Sequence, residues 1–523
     1  MTVLLDMSLG GRGRSMSETR TAREQKPEET DTGSGMPGVP VGRTETTRYL
    51  CAAVHLDRFF REHVLDLTIR DSYRAVSHSG GVDTALVARH AVVAEDHAER
   101  RDRYLTLVAV MLIAACVAAI LLEVPPLLFQ STHAESARWF PVVGFCVVAL
   151  LLAAWAICLW AEMCTVLFLQ DLSLLEYGSV QDPAPPSDPD VRRRLDELER
   201  SQDNANVVVF HGFDPFAASG YLVNASSFSV ELIPVGNDES MRAFTVSEML
   251  DAVESALLRL RLRSVNSARR LFVNGSDVSR HRWLTPDPRR RPESRVSADR
   301  IATAIEKGSL TVRPYLCVET IGWSGQLAVT SFVRIVRLEG ALFVELSAYV
   351  LPPLRDNFMQ VDWMRERTGR ELYQAALRRS RRTFLSAIAA APGSVAERIR
   401  RVNAERRRDE LRDNYLNEGL RLNYGAFTSV RKAASGERYP TYFLRRDMDM
   451  FVKVIQQRLV GAVSDFLGEH GFSTERIQSA ANNYFSVNFT DGGDIYQVSN
   501  VGAGAAVGPN AKGSNVSSGN KSD

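Results

Sequence analysis

Two long uncharged runs are the strongest feature in the pattern of apolar and polar positions along the chain. The first, YLTLVAVMLIAACVAAILL, occupies residues 104–122, and the second, WFPVVGFCVVALLLAAWAICLW, occupies residues 139–160. At about 1.5 Å per helical residue, each run is long enough for the ~30 Å hydrocarbon layer of a bilayer. Only sixteen residues separate the runs. This spacing favours a transmembrane helical hairpin over the alternative of two buried core helices.

Apolar residues recur at helical spacing before and after the hairpin. Residues 46–103 predict cytoplasmic helices that lead into the membrane. Their first stretch, RYLCAAVHLDRFFREHVLDL, is predicted to be one amphipathic helix, and the SHSGG turn of residues 77–81 then interrupts the pattern. The next helix is predicted to run from about Asp83 directly into the first span. Residues 355–471 predict arginine-rich and amphipathic helices.

Residues 205–351 combine short β-prone runs with helical runs. The predicted strands are residues 207–210, 227–232, 310–320, 327–338 and 341–351. The predicted helices are residues 246–262 and 298–308. Because tight turns join the last strands, the pattern favours an antiparallel sheet with helices on one face. The predicted fold class is α+β: a transmembrane helical hairpin, a cytoplasmic domain of mixed antiparallel sheet and helices, and C-terminal helices.

Three segments have the composition of linkers or disordered chain. Residues 1–45 contain few large apolar side chains and are predicted to be disordered. Residues 178–204 are predicted as a Pro-rich linker and a short helix that begins at Pro189. Residues 484–523 form a Gly/Asn/Ser-rich tail, for which short strands followed by disorder and imperfect solenoid rungs are alternatives.

The charge balance argues against binding to nucleic acid. The chain has 63 Lys and Arg residues against 62 Asp and Glu residues, a formal net charge of +1. Nucleic-acid-binding proteins usually present a basic field, so no nucleic-acid partner is expected.

Positive residues are distributed unevenly around the hairpin. The loop between the spans contains Arg138, whereas four arginines precede the first span: Arg89, Arg100, Arg101 and Arg103. Cytoplasmic flanks carry the excess of Lys and Arg in membrane proteins. The sequence therefore predicts a multi-pass protein of the inner (plasma) membrane with both termini in the cytoplasm.

The motifs with the strongest catalytic meaning do not occur in the sequence. No P-loop, HExxH, GxSxG or Cys/His ligand set is present. We therefore expect no catalytic residue, no metal site and no cofactor, and an enzyme is the less favoured class. The six cysteines form no CxxC pair, which favours reduced thiols over disulfides.

The stretch FHGFDPFAASGY, residues 210–221, is the candidate ligand-binding loop. Its candidate residues combine backbone freedom with polar atoms: Gly212, Asp214, Pro215, Ser219 and Gly220. The alternative is a connection between strands that is anchored to a core by its aromatic residues: Phe210, Phe213, Phe216 and Tyr221. Packing is the favoured interpretation, because anchored loops are common in structures without ligands.

A helix of residues 371–391 has an apolar face flanked by basic residues. The four arginines are Arg378, Arg379, Arg381 and Arg382. Such a helix can lie on an anionic membrane surface with its arginines at the lipid headgroups. The favoured alternative is a helix that packs on the preceding domain and leaves its arginines solvated.

Two further segments are weaker candidates. His90 and His97 lie two helical turns apart before the first span and could form a pH-sensitive pair, but solvated histidines on a helix face are favoured. The arginine-rich loop of residues 281–295 could contact an acidic partner or lipid headgroups, but a solvated loop is favoured.

Four features together resemble a known family. They are YLCAAVHLDRFF, the SGGVD turn, the apolar hairpin and GFDPFAASG after a valine strand. In this combination, residues 48–350 resemble a family of actinobacterial two-span membrane proteins to which no activity is assigned. The corresponding loop of that family reads G-Y-x-P-F-x-G-S-G, so Phe213 replaces a tyrosine and Ala218 replaces a glycine. The resemblance implies two membrane spans and cytoplasmic globular parts.

These observations leave three functional hypotheses. The leading one is a membrane-tethered cytoplasmic scaffold, sensor or partner-binding protein, whose partners are the lipid bilayer and an unidentified protein. The first alternative is a ligand- or nucleotide-binding α+β domain, or an enzyme, that uses the loop of residues 210–221 and Arg334 or Arg337. The second alternative is a peripheral module that binds anionic lipid through the basic helix.

Overall fold

The computed structural model describes residues 44–129, 140–174, 180–235, 242–260, 265–365, 367–436, 439–475 and 477. Apart from Thr44 and Glu45, the predicted disordered segment lies outside the described residues, as does the predicted tail of residues 484–523. The helices are α1 (Glu45–Leu56), α2 (Arg58–Leu65), α3 (Thr84–Phe129), α4 (Phe140–Leu174), α5 (Pro189–Asn204), α6 (Val246–Leu258), α7 (Ala298–Lys307), α8 (Asp362–Arg365), α9 (Gly369–Asn417), α10 (Val430–Ala434) and α11 (Tyr442–Glu469). The strands are β1 (Val207–Phe210), β2 (Tyr221–Glu231), β3 (Val265–Asn274), β4 (Val312–Gly322), β5 (Leu327–Leu338) and β6 (Ala341–Leu351).

The N-terminal helices α1 and α2 are separated by a cap. The Asp57 carboxylate accepts hydrogen bonds from the backbone N–H groups of Phe59 and Phe60, which satisfies two donors at the start of α2. The single amphipathic helix predicted here is therefore two helices. In α1, Leu50 and Val54 are completely buried, so this helix belongs to the core.

The helices α3 and α4 contain the two uncharged runs. As the sequence predicts, α3 continues without a break from its charged N-terminal half into the apolar half that begins at Tyr104. Both helices are long and apolar enough to cross a membrane. Large apolar side chains are exposed along both apolar halves, among them Val110, Ile113, Phe145 and Leu152. A continuous exposed apolar surface of this kind is expected for helices that face lipid.

Six strands of the described chain form one mixed sheet in the order β1-β3-β4-β5-β6-β2. The pair β1–β3 is parallel, and the other neighbouring pairs are antiparallel. The predicted α+β class is confirmed. Strands β1, β5 and β6 have the predicted bounds, whereas the sequence pattern did not predict β3.

The two faces of the sheet are covered differently. On one face, helices α6, α7 and α11 bury aliphatic side chains such as Val253, Leu316 and Leu459. On the opposite face, Phe332 and Tyr349 belong to an aromatic cluster. Successive side chains of a strand point to opposite faces, so each strand contributes to both layers. Within residues 205–351, helices α6 and α7 thus lie on one face, as predicted.

The long helix α9 connects the hairpin to the N-terminal helices. It is 49 residues long and contains Pro392 in its interior. Before the proline, Arg379 of α9 pairs with Glu162 of α4. After the proline, Arg398 pairs with Glu95 of α3. One helix therefore contacts both of the helices that are candidates to cross the membrane.

Candidate functional site

The loop of residues 210–221 is anchored to the aromatic face of the sheet by one side chain. Phe216 is buried and stacks on Phe332, with 4.0 Å between the ring centroids. Its ring also contacts Phe272 and Tyr315 edge to face. Phe213 is 100% exposed, so the prediction that it anchors the loop is wrong. Phe210, the last residue of β1, packs partly buried against the same cluster, and beyond the strand Phe216 is the buried side chain that anchors the loop.

Asp214 and Pro215 stabilise the turn of this loop. The Asp214 carboxylate accepts a hydrogen bond from the backbone N–H of Phe216 at 2.9 Å and another from the hydroxyl of Tyr349 at 3.0 Å. Burial, together with the negative charge of Asp214, raises the pKa of Tyr349. Pro215 is half-buried beside them. The carboxylate thus has partners within the fold.

Gly212, Gly220 and Ser219 differ in their surroundings. Both glycines have positive φ, +88° at Gly212 and +113° at Gly220. A Cβ at Gly220 would lie 2.0 Å from the carbonyl oxygen of Val350, whereas nothing lies within 4 Å of a Cβ at Gly212. Ser219 lines a small cavity of about 30 Å³ together with Arg270. Gly220 is therefore needed for packing, and Ser219 brings the loop to a polar cavity.

Arg334 and Arg337, the arginines considered with this loop, have partners within the sheet domain. The Nη1 atom of Arg334 lies 3.4 Å from Oε2 of Glu345. The Nη1 atom of Arg337 donates a hydrogen bond to the carbonyl oxygen of Phe244 at 2.7 Å. Arg337 is thus held by the backbone, whereas Arg334 pairs with Glu345 through Nη1 and its buried Nε has no hydrogen-bond partner among the described residues.

A much larger cavity lies between α5, the segment that precedes α3 and the β1–β3 edge of the sheet. It has a volume of about 830 Å³, and its wall includes the segment of residues 75–79 and Thr84, the first residue of α3. Eight arginines line it: Arg193, Arg194, Arg200, Arg270, Arg289, Arg290, Arg291 and Arg295. The acidic residues of the wall are Glu197 and Glu293, so the lining residues alone have a formal excess of six positive charges. Three of the arginines also pair with aspartates outside the wall: Arg193 with Asp190, Arg289 with Asp413 and Arg290 with Asp287. We call this cavity the arginine-lined cavity.

The arginines of this cavity differ in the hydrogen bonds that fix their side chains. Arg291 donates hydrogen bonds to the carbonyl oxygens of Thr68 at 2.6 Å and Asp71 at 2.7 Å, and burial lowers its pKa to about 10. It remains protonated at neutral pH and is fixed in position. The Nε atom of Arg270 is buried and has no hydrogen-bond partner among the described residues. A buried donor without an acceptor is costly, so Arg270 marks a place where a ligand could supply one.

A contact between a histidine and a buried carboxylate lies beside Arg270. Nε2 of His78 is 3.5 Å from Oε2 of Glu319, and His78 lines both the small and the large cavity. Burial raises the pKa of Glu319, but His78, Arg270 and Arg431 outweigh it, so the carboxyl stays ionised with a lowered pKa. A Cβ at Gly80 would lie 2.2 Å from Oε1 of Glu319. The glycine of the SHSGG turn therefore lets the chain approach the buried carboxylate.

The prediction of a solvated loop at residues 281–295 is wrong for part of that loop. The guanidinium of Arg291 donates hydrogen bonds to the carbonyl oxygens of Thr68 and Asp71, whereas Arg289 and Arg290 line the arginine-lined cavity but remain exposed as predicted. The run PRRRPESR was the available signal in the sequence. It could not be assigned to a site, because the other walls of the cavity come from distant segments.

The preferred interpretation of His90 as a solvated histidine is also wrong. His90 is 1% exposed, and its ring centroid lies 5.8 Å from that of His55. Both rings contact Phe168 of α4. Burial lowers the pKa of His90 to about 4, and burial followed by the proximity of His90 lowers the pKa of His55 well below its usual range. Both rings are thus neutral at pH 7.

The basic helix of residues 371–391 is the first part of α9. Its apolar face packs on the hairpin, where Ile388 and Ala391 join one buried cluster with Leu105 of α3 and Ala154 of α4. The four arginines predicted for lipid binding differ in their contacts. Arg379 lies 3.4 Å from Glu162, and the others are exposed: Arg378, Arg381 and Arg382.

The chain can be compared with known protein families. A family model described as the AbeC-like domain matches residues 225–503. This range is more than half of the 523 residues of the chain. The chain belongs to the AbeC-like domain family. No curated protein matches the chain, and no solved structure matches it.

The AbeC-like region begins inside β2, so the hairpin and the loop of residues 210–221 precede it. Five arginines of the arginine-lined cavity belong to this region, and three, on α5, come before it. The cavity is therefore built between the AbeC-like region and the segments that precede it. The match names no activity, and it does not test the resemblance to the actinobacterial two-span family.

Proposed function

We propose that this AbeC-like protein is a membrane-tethered cytoplasmic sensor that binds a small polyanion in its arginine-lined cavity. The observation that carries the proposal is the formal excess of six positive charges around one cavity of about 830 Å³. A recess lined by charges of one sign concentrates ions of the opposite sign. A bound polyanion would compete with the exposed ion pairs that Arg193, Arg289 and Arg290 form with aspartates outside the wall.

The chemistry of the wall defines the ligand class. Guanidinium groups match phosphate and carboxylate oxygens in paired hydrogen bonds, and the buried Nε of Arg270 is a donor that still needs an acceptor. The volume lies in the range of small-molecule sites. Among the described lining residues there is no Phe, Tyr or Trp on which a base could stack. Recognition would therefore depend on the anionic groups of the ligand.

The cavity is placed where a ligand could influence the membrane helices. Thr84 lines it and is also the first residue of α3, which continues into the first apolar run. Ligand contacts at this end would change the stability of a helix that leads into the bilayer. In this proposal α3 and α4 cross the inner membrane, both termini are cytoplasmic, and the cavity faces the cytoplasm.

Isothermal titration calorimetry of the full chain in detergent tests the proposal, with pyrophosphate, tripolyphosphate and ATP as probes. We expect at least one probe to bind, with an affinity that falls as the salt concentration rises. Arg270→Gln and Arg295→Gln should each weaken that binding about tenfold, because each removes a cation from the wall. Arg282→Gln is the matched control, since Arg282 is exposed in the same loop region but lies outside the cavity wall.

Two results would overturn the proposal. One is that none of the three probes binds to the folded wild-type chain. The other is that Arg282→Gln weakens binding as much as the two cavity variants, which would indicate non-specific attraction to a basic surface.

A further inference from the structure

A second charged recess lies between α3, α4 and α9, apart from the arginine-lined cavity. It consists of two adjoining cavities of about 210 Å³ and 330 Å³. Arg101, Glu162 and Arg379 line both of them. We call this recess the interfacial groove.

The groove lies at the boundary between the charged and apolar parts of the hairpin. Arg101 precedes Tyr104, where the first uncharged run begins, and Trp160, which ends the second run, lines the groove. The side chain of Trp160 is 54% exposed. Indole rings at such boundaries favour the level of the lipid headgroups. If the hairpin crosses a bilayer, the groove opens at headgroup level.

The cations of the groove are only partly neutralised by the protein. Arg101 donates two hydrogen bonds to one oxygen of Asp102, at 2.8 and 3.0 Å. Arg379 faces Glu162 at 3.4 Å while 63% of its side chain remains exposed. An ion pair with that exposure contributes little in water. A phosphodiester could therefore displace Glu162 from Arg379 at small cost.

The rest of this wall consists of small side chains without charge. Cys158, Ala387 and Ala390 line it together with the hydroxyl residues Thr383 and Ser386. Farther along α4, Val148 and Leu152 are exposed in the apolar half. A soluble anion would leave this surface uncovered, whereas a ligand with a charged head and apolar chains would cover both parts.

We propose that the interfacial groove binds an anionic phospholipid, with the phosphate at Arg101 and Arg379 and the acyl chains along the apolar half of α4. The inference rests on the membrane anchoring in the proposed function, but not on ligand binding in the arginine-lined cavity. It differs from general attraction of α9 to a charged surface, because it assigns binding to two arginines, on α3 and α9, that line the same groove.

The test is native mass spectrometry of the full chain released from nanodiscs that contain phosphatidylcholine and phosphatidylglycerol in equal amounts. We expect at least about fivefold enrichment of retained phosphatidylglycerol, and loss of this enrichment in the double variant Arg101→Gln/Arg379→Gln. The matched control is Arg378→Gln/Arg381→Gln, which removes the same charge from exposed positions of α9 and should retain the enrichment. Glu162→Gln should increase the enrichment, because it removes the competing carboxylate.

Four outcomes would overturn the inference. They are equal retention of both lipids, equal loss of enrichment in the control variant, lower enrichment in Glu162→Gln, and displacement of the lipid by glycerol phosphate at matched concentration. The last outcome would identify a soluble phosphate as the occupant. Alkaline carbonate extraction of membranes tests the anchoring separately, since release of the chain would contradict the membrane placement itself.

Discussion

Two physical requirements favour glycine at position 220, whereas only one of them applies at position 212. At Gly220, φ is +113° and a Cβ would lie 2.0 Å from the carbonyl oxygen of Val350. At Gly212, φ is +88° but the surrounding space is open. A residue with a Cβ would therefore meet backbone strain and a steric clash at position 220, but backbone strain alone at position 212.

Gly220→Ala is expected to lower the free energy of unfolding by about 3 kcal/mol or more, because the clash involves backbone atoms and adds to the strain. Gly212→Ala should cost about 1 kcal/mol, the strain by itself. Urea denaturation of the chain in detergent, followed by tryptophan fluorescence, measures both. Equal losses in the two variants would show that the approach of Gly220 to β6 is unimportant.

The buried histidines His55 and His90 predict a dependence of stability on pH. Their folded-state pKa values lie below the unfolded value of about 6.5, with that of His90 at about 4. As the pH falls below 6.5, the unfolded chain binds protons that the folded chain does not. The stability contributed by the neutral rings is therefore complete above pH ~6.5 and is lost as the pH falls toward 4.

Replacing both rings by phenylalanine, His55→Phe/His90→Phe, should remove this contribution to acid sensitivity. Between pH 7 and pH 5, the free energy of unfolding should fall by about 2 kcal/mol less in the variant than in the wild type. This figure counts only the contribution of His90. Thermal unfolding at the two pH values gives the comparison. An identical change in melting temperature for both proteins would exclude the histidines as the source.

At the scale of the element, α9 is attached to α3 by a shielded ion-pair cluster. Arg398 lies 3.1 Å from Glu95 and 3.1 Å from Asp102, and none of the three side chains is more than 15% exposed. Burial raises the pKa of Glu95, but the ion pairs with Arg61 and Arg398 outweigh it and lower the pKa below its usual range. The cluster therefore favours the docked position of α9.

Arg398→Gln should destabilise the folded chain by about 3 kcal/mol, because it leaves two shielded carboxylates without their common partner. Arg400→Gln is the matched control: its pair with Glu397 is exposed, and the loss should stay within about 0.5 kcal/mol. Thermal unfolding in detergent measures both. A loss in Arg400→Gln as large as that in Arg398→Gln would contradict the role of shielding.

The strand β3 shows why an element can escape a sequence pattern. Its residues read VNSARRLFVN, in which polar side chains interrupt the β-prone residues. Ser267 donates a hydrogen bond to Glu254 of α6, and Arg269 pairs with Asp251 and Glu254. Ser267 and Arg269 are thus satisfied by a helix that packs next to the strand. No pattern within the strand itself contains that information.

At the scale of the whole molecule, the arrangement of the arginines around the hairpin predicts the topology. A green fluorescent protein fused to the C-terminus should fluoresce, and alkaline phosphatase fused there should be inactive, since both termini are expected in the cytoplasm. Alkaline phosphatase inserted between residues 123 and 138 should be active. The reverse pattern would contradict the proposed orientation and place the arginine-lined cavity outside the cytoplasm.

The sequence by itself determined the two long apolar helices, the continuous entry of α3 into the first of them and the α+β class. These features depend on length, composition and local periodicity, which neighbouring residues carry. Only the tertiary structure decided that Phe216 is the anchor of its loop, that His90 is buried and that the apolar face of α9 packs on the hairpin. It also formed the arginine-lined cavity from α5, β1, Arg270 and the loop of residues 289–295. Charges from segments this far apart become one site only when folding brings them together, so no local pattern could predict it.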